Sequence, residues 1–93
     1  MYVLTLNSVD DCRMQTTFCG LFETHEEAHA DMVNRVELHR NALAKDHQES
    51  SDSLIVLVDD DTGCLDDGGM FDGRYHESYF IFDTEDPGQT FEY

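Results

Sequence analysis

Residues 24–29 read THEEAH, and the last five of them, His25 to His29, spell H-E-x-x-H. That pattern sets two zinc ligands and a water-activating glutamate on one helix. The same six residues also form a helix start, with Thr24 as cap and Glu27 three residues on to complete a capping box. Which reading holds decides the fold. The surrounding charges favour the cap. Glu23, Glu26 and Glu27 crowd the positive end of the helix dipole, while His39, Arg40, Lys45 and His47 gather toward its negative end. Asp31 and Arg35 make an i,i+4 pair. On a helical wheel His25, Ala28, His29, Met32, Val36, His39 and Leu43 share one stripe. The pattern predicts a helix from about Thr24 to about His47, ending in the polar stretch QESSDS.

A zinc protease also needs a third ligand. Glu49 has the spacing of the thermolysin-like families, yet a helix unbroken to His47 would carry it roughly 30 Å along the axis. His25 stands in the first helical turn, whereas those families set the motif mid-helix. HEEAH is therefore read as a capped helix, and no metal or cofactor is expected. A small zinc-dependent hydrolase using HEEAH is the remoter alternative.

Upstream of this helix, Met1–Asn7 and Met14–Phe22 are β-rich runs separated by the turn-like VDDCR, which predicts a hairpin with a bulge near Gly20. Downstream, Ser53–Val58 (SLIVLV) is unbroken apolar, as for a central strand covered on both faces. Asp59–Gly73 reads as a Gly- and Asp-rich loop, Ser78–Phe82 (SYFIF) as another apolar strand, and the closing TFEY as a short edge strand. The order β-β-α-β-β defines a single α+β domain over residues 1–93, a small antiparallel sheet with one long helix on one face. That leaves the other face to be covered by the 59–77 loop, a second copy or a partner, and a homodimer is the preferred cover.

Charge is the outlier of the composition. There are 21 acidic residues against five Lys and Arg, for a net charge of −16. Free nucleic acid and anionic lipid are excluded as ligands, because both require basic contacts. The complementary partner is a basic surface. Cys12, Cys19 and Cys64 are an odd set without CxxC spacing, which points to free thiols in a reducing compartment. The start MYVLTLNSVDD lacks the basic region of a signal peptide, so a cytoplasmic protein is expected, in the host cell if it is phage-encoded.

Other motifs fall short. Asp61-Thr62-Gly63 resembles the triplet of aspartic proteases but follows two aspartates and lacks the element that closes that fold. DDDTGCLDDGG fits no register of a calcium-binding EF-hand loop. No cysteine has an assigned base, so no enzyme activity is expected. From Asp59 to Tyr93 there are eleven acids and one base, Arg74, with aromatics interleaved. Asp59, Asp60, Asp61, Asp66, Asp67 and Asp72 are the expected partner contacts, with Phe71, Tyr75 and Tyr93 as aromatic anchors. Glu23, Glu27 and Asp31 add a helical row whose spacing, roughly 6 to 7 Å, is near that of phosphates along a nucleic-acid strand.

DDDTGCLDDGG, FDTED and the EEAHAD helix start, in a short acidic α+β chain, together resemble the small inhibitors of phages and mobile elements, the anti-CRISPR proteins and DNA mimics. The likeness is to a class and assigns no residue a role. It implies binding to a basic nucleic-acid-handling protein, such as a CRISPR effector nuclease, in place of its substrate. The alternative is a non-catalytic dimeric accessory protein whose acidity serves solubility.

Overall fold

The computed structural model describes residues 1–10, 13–46, 54–68 and 75–91. Strands β1 (Tyr2–Asp10) and β2 (Arg13–Phe22) precede helix α1 (His25–Asp46), and β3 (Ile55–Val58), β4 (Thr62–Asp66) and β5 (Tyr75–Asp83) follow it. The strands form one antiparallel sheet in the order β2-β1-β5-β4-β3. This is an α+β fold with one long helix across one sheet face.

β1 and β2 make the expected hairpin, closing at Asp10 opposite Arg13. Its register slips between Leu4, paired with Gly20, and Thr5, paired with Phe18, so Cys19 is the bulged residue beside the glycine. Three expectations change downstream. SLIVLV is no central strand. Residues 55–58 of it, strand β3, form the sheet edge, with Ile55, Leu57 and Val58 exposed and Leu57 at 63%. An apolar run reports burial potential but not lateral position, and the centre belongs to β5, which pairs with both β1 and β4. The expected 59–73 loop holds strand β4. Asp59-Asp60-Asp61 is only the tight turn into it, closed where the Asp59 N–H donates to the Thr62 carbonyl at 2.8 Å. Of the closing TFEY, the described Thr90 and Phe91 form no strand, and Phe91 instead packs on Phe80 and Phe82.

The core lies between helix and sheet. Ala28, Met32 and Val36 of α1 meet Leu4 and Leu6 of β1 and Tyr79 and Ile81 of β5. A smaller cluster joins Ala44, Leu54 and Leu65. The helix comes close at Gly63, where a Cβ would stand 3.1 Å from the Met32 sulfur. The helix start forms as a cap. Thr24 Oγ1 accepts the Glu27 N–H at 3.2 Å and donates to the Glu27 carboxylate at 3.2 Å. Thr24→Ala should cost about 1 kcal/mol, read as a lowered denaturant midpoint at unchanged slope. An unchanged midpoint would remove the cap from the account.

Strand alternation sends the second set of side chains to the opposite, helix-free face. Leu21, Phe18, Thr16 and Met14 of β2 stand there beside Val3, Thr5, Asn7 and Val9 of β1. β5 adds Phe82, Phe80, Ser78 and His76, β4 adds Thr62, Cys64 and Asp66, and β3 adds Leu57 and Ile55.

Candidate functional site

The β3–β4 turn lies against the first turn of α1, which brings together two acidic stretches far apart in sequence. His25 Nε2 is 2.7 Å from Asp61 Oδ1, and His29 Nε2 is 3.2 Å from the Asp59 carbonyl. The two imidazoles stack at 6.2 Å, and the Tyr2 ring meets His25 edge-on. Around them Glu23, Glu26, Glu27, Asp59 and Asp60 are exposed. A recess of about 640 Å³ runs between His29, the Asp59–Asp61 turn and Phe91. The result is an acidic pole whose turn is pinned from behind, since the Ile81 N–H donates to the Asp61 carbonyl at 2.8 Å. Both histidines of HEEAH are thus engaged by the turn. Among the described residues, no three His, Cys, Asp or Glu side chains are arranged to hold a metal ion.

The expected contact residues divide in space. Asp59, Asp60, Asp61, Glu23 and Glu27 belong to this pole. Asp31 lies one turn further along, on the flank toward β2, and is neutralised by Arg35 at 2.6 Å, whose guanidinium also reaches the Cys19 carbonyl. Asp67 is not a surface residue. It is 2% exposed and accepts the Tyr75 N–H at 2.8 Å, closing the end of the β4–β5 pair. Asp66 is half-buried and accepts the Gly68 N–H, a bond that, with His76 beside it, holds its carboxyl below the usual range. Tyr75 is no outward anchor, because its hydroxyl donates inward to Glu77. Phe71, Asp72 and Tyr93 lie outside the described residues.

Two polar clusters were not anticipated. Glu77, 0% exposed, is held beneath the helix by Tyr75 Oη at 2.8 Å, Tyr79 Oη at 2.7 Å and His39 Nδ1 at 2.5 Å. Burial first, and the Glu77 carboxylate second, push both tyrosine hydroxyls far up, so they stay protonated donors. The signal was present in the alternation Tyr75, Glu77, Tyr79, Ile81, which puts an acid on the inward side of an apolar strand. On the opposite face, His76 Nδ1 lies 2.9 Å from Asp66 and its Nε2 lies 2.8 Å from Ser78 Oγ. The order acid, imidazole, hydroxyl is that of a nucleophilic triad. Ser78 is buried in a strand paired on both sides, so its flanking N–H groups serve the ladders and leave no backbone oxyanion hole beside it. Burial also raises the neighbouring Cys64 thiol, keeping it protonated. This cluster satisfies polar groups on a sheet face.

Comparisons with protein-family models, with curated proteins and with solved structures find no match to this chain. Among the described residues, no helix is long and apolar enough to cross a membrane.

Proposed function

We propose that this chain is a non-catalytic acidic inhibitor that occupies the basic nucleic-acid-binding groove of a host or defence nuclease, as the anti-CRISPR proteins and DNA mimics do. The carrying observation is the net charge of −16 together with the pole, where Glu23, Glu26, Glu27, Asp59 and Asp60 are exposed at one end of the molecule. Carboxylates that repel one another at this density are relieved by a cationic groove, and their summed field speeds encounter with it. The recess beside Phe91 offers an apolar element next to the charge, where a partner side chain is desolvated. The nucleic acid of the target is the competitor.

The test is capture from host lysate on the immobilised chain at about 50 mM salt, followed by elution at about 500 mM, because groove electrostatics weaken steeply over that range. A basic nucleic-acid-binding protein, released by salt and displaced by added DNA or RNA, is the expected result. An acidic partner, or one retained at high salt, would contradict it and favour the dimeric accessory protein instead.

A further inference from the structure

The helix-free sheet face differs from the rest of the surface in chemistry. On a chain with 21 acids, Asp66 is the only acid among the side chains that the described strands place on this face. Its carboxylate accepts the Gly68 N–H and lies 2.9 Å from His76 Nδ1. Four further polar side chains are paired within the face. Ser78 bonds His76, and Thr16 Oγ1 donates to Asn7 Oδ1 at 2.8 Å. These groups form a stripe across the middle strands, flanked by exposed apolar side chains on both outer strands. Met14 (80% exposed), Phe18 (65%) and Leu21 lie on β2, with Ile55 and Leu57 on β3. At the end nearer the pole, Phe91 stacks on Phe80 at 5.5 Å and on Phe82 at 5.2 Å, adding an aromatic ridge.

From these observations we infer that two copies of the chain pack face to face through this sheet surface, with β2 of each over β3 of its partner. A two-fold axis parallel to the central strand β5 keeps each row of side chains over the same row of the partner, so Met14 stands against the partner's Ile55 and Thr16 against the partner's Leu57, and the contact repeats on the other side. The stripe then meets its own copy at the centre. Its hydrogen bonds are made within each chain, so covering it strands few polar groups. The size is adequate. Five strands about 4.8 Å apart and four rows of side chains about 7 Å apart span on the order of 600 Å² of plane, before side-chain relief. A standard interface takes about 800 Å² from each partner.

Charge selects the occupant. A basic partner is drawn to the acids, of which the described strands place only Asp66 on this face. A second copy carries the same −16 and approaches most readily through this acid-poor face. This inference is independent of the groove-binding function and has the opposite salt response. Salt weakens attachment to a basic groove, whereas it screens the repulsion between two like-charged copies and tightens them.

The experiment is sedimentation equilibrium of the purified chain over low to high micromolar concentration, at low and high salt. The expected mass is twice 10.7 kDa, with association strengthening as salt rises. Met14→Lys alone and Ile55→Glu alone should each weaken association about tenfold or more, while both in one chain should restore part of it, since each lysine then faces the partner's glutamate. Both positions are exposed in the single chain, and unchanged far-UV circular dichroism confirms that the variants fold. A strict monomer across the range overturns the inference. So does a dimer indifferent to both substitutions, or one that loosens as salt rises.

Discussion

Replacing Glu77 with leucine is expected to destabilise the chain by about 3 to 5 kcal/mol, the largest single effect that this structure implies. The carboxylate is 0% exposed and serves two tyrosine hydroxyls and one imidazole at once. Without it, half-buried Tyr75 loses the acceptor of its hydroxyl, and buried Tyr79 keeps only His39 Nδ1, at 3.0 Å. Tyr79→Phe, which removes one donor and leaves the carboxylate its other partners, should cost less, about 1 to 2 kcal/mol. Urea unfolding of the two variants checks the order, and a Glu77→Leu chain as stable as the parent would contradict it. The same cluster sets an alkaline limit. Both tyrosines have folded-state values raised above the ordinary value near 10. Their contribution is complete below about pH 10 and is lost as pH rises beyond it, because the unfolded chain then releases protons that the folded chain holds. Stability measured from pH 8 upward should therefore begin to fall near pH 10, and less steeply in Tyr75→Phe/Tyr79→Phe.

The second large effect concerns binding. Glu26→Lys, Asp59→Lys and Asp60→Lys together reverse three exposed charges at the pole and should weaken the proposed partner about 100-fold or more at physiological salt. The structure selects these positions over Asp66 and Asp67. Asp67 closes the β4–β5 pair and Asp66 ties His76 and Gly68, so reversing either tests folding instead of contact. The exposed three carry no such duty in their side chains as far as the described contacts go. Asp59→Lys and Asp60→Lys should leave the unfolding midpoint near that of the parent, while Glu26→Lys, in the first turn of α1, should lower stability by about 1 kcal/mol.

The helix and its cap were legible in THEEAH because capping grammar is local, involving residues three or four apart. The β1–β2 hairpin was legible for the same reason, as two β-rich runs joined by a short polar turn. The position of β3 was not, since an apolar run does not say which strands will flank it, and β5 took the centre by pairing with β1 from the far end of the chain. β4 stayed hidden because the acids of Asp59–Asp61 and Asp66–Asp67 bracket it and gave the whole stretch the composition of a loop. With β4 unseen, the cross-strand pairing of Asp66 with His76 could not be foreseen, nor could the meeting of that acid turn with His25 and His29. The acidity of the surface was plain from composition. Which acids are spent inside the fold was a matter of register.

Groove binding requires that the acidic surface compete with nucleic acid for a basic groove. The direct measurement is a competition titration, in which a labelled DNA or RNA duplex held by the captured partner is challenged with the purified chain. Complete displacement by the parent chain is predicted, with an apparent affinity that falls steeply as salt is raised and is lost in the chain carrying Glu26→Lys, Asp59→Lys and Asp60→Lys. A ternary complex in which partner, duplex and chain remain bound together, or equal displacement by the charge-reversed chain, would contradict it.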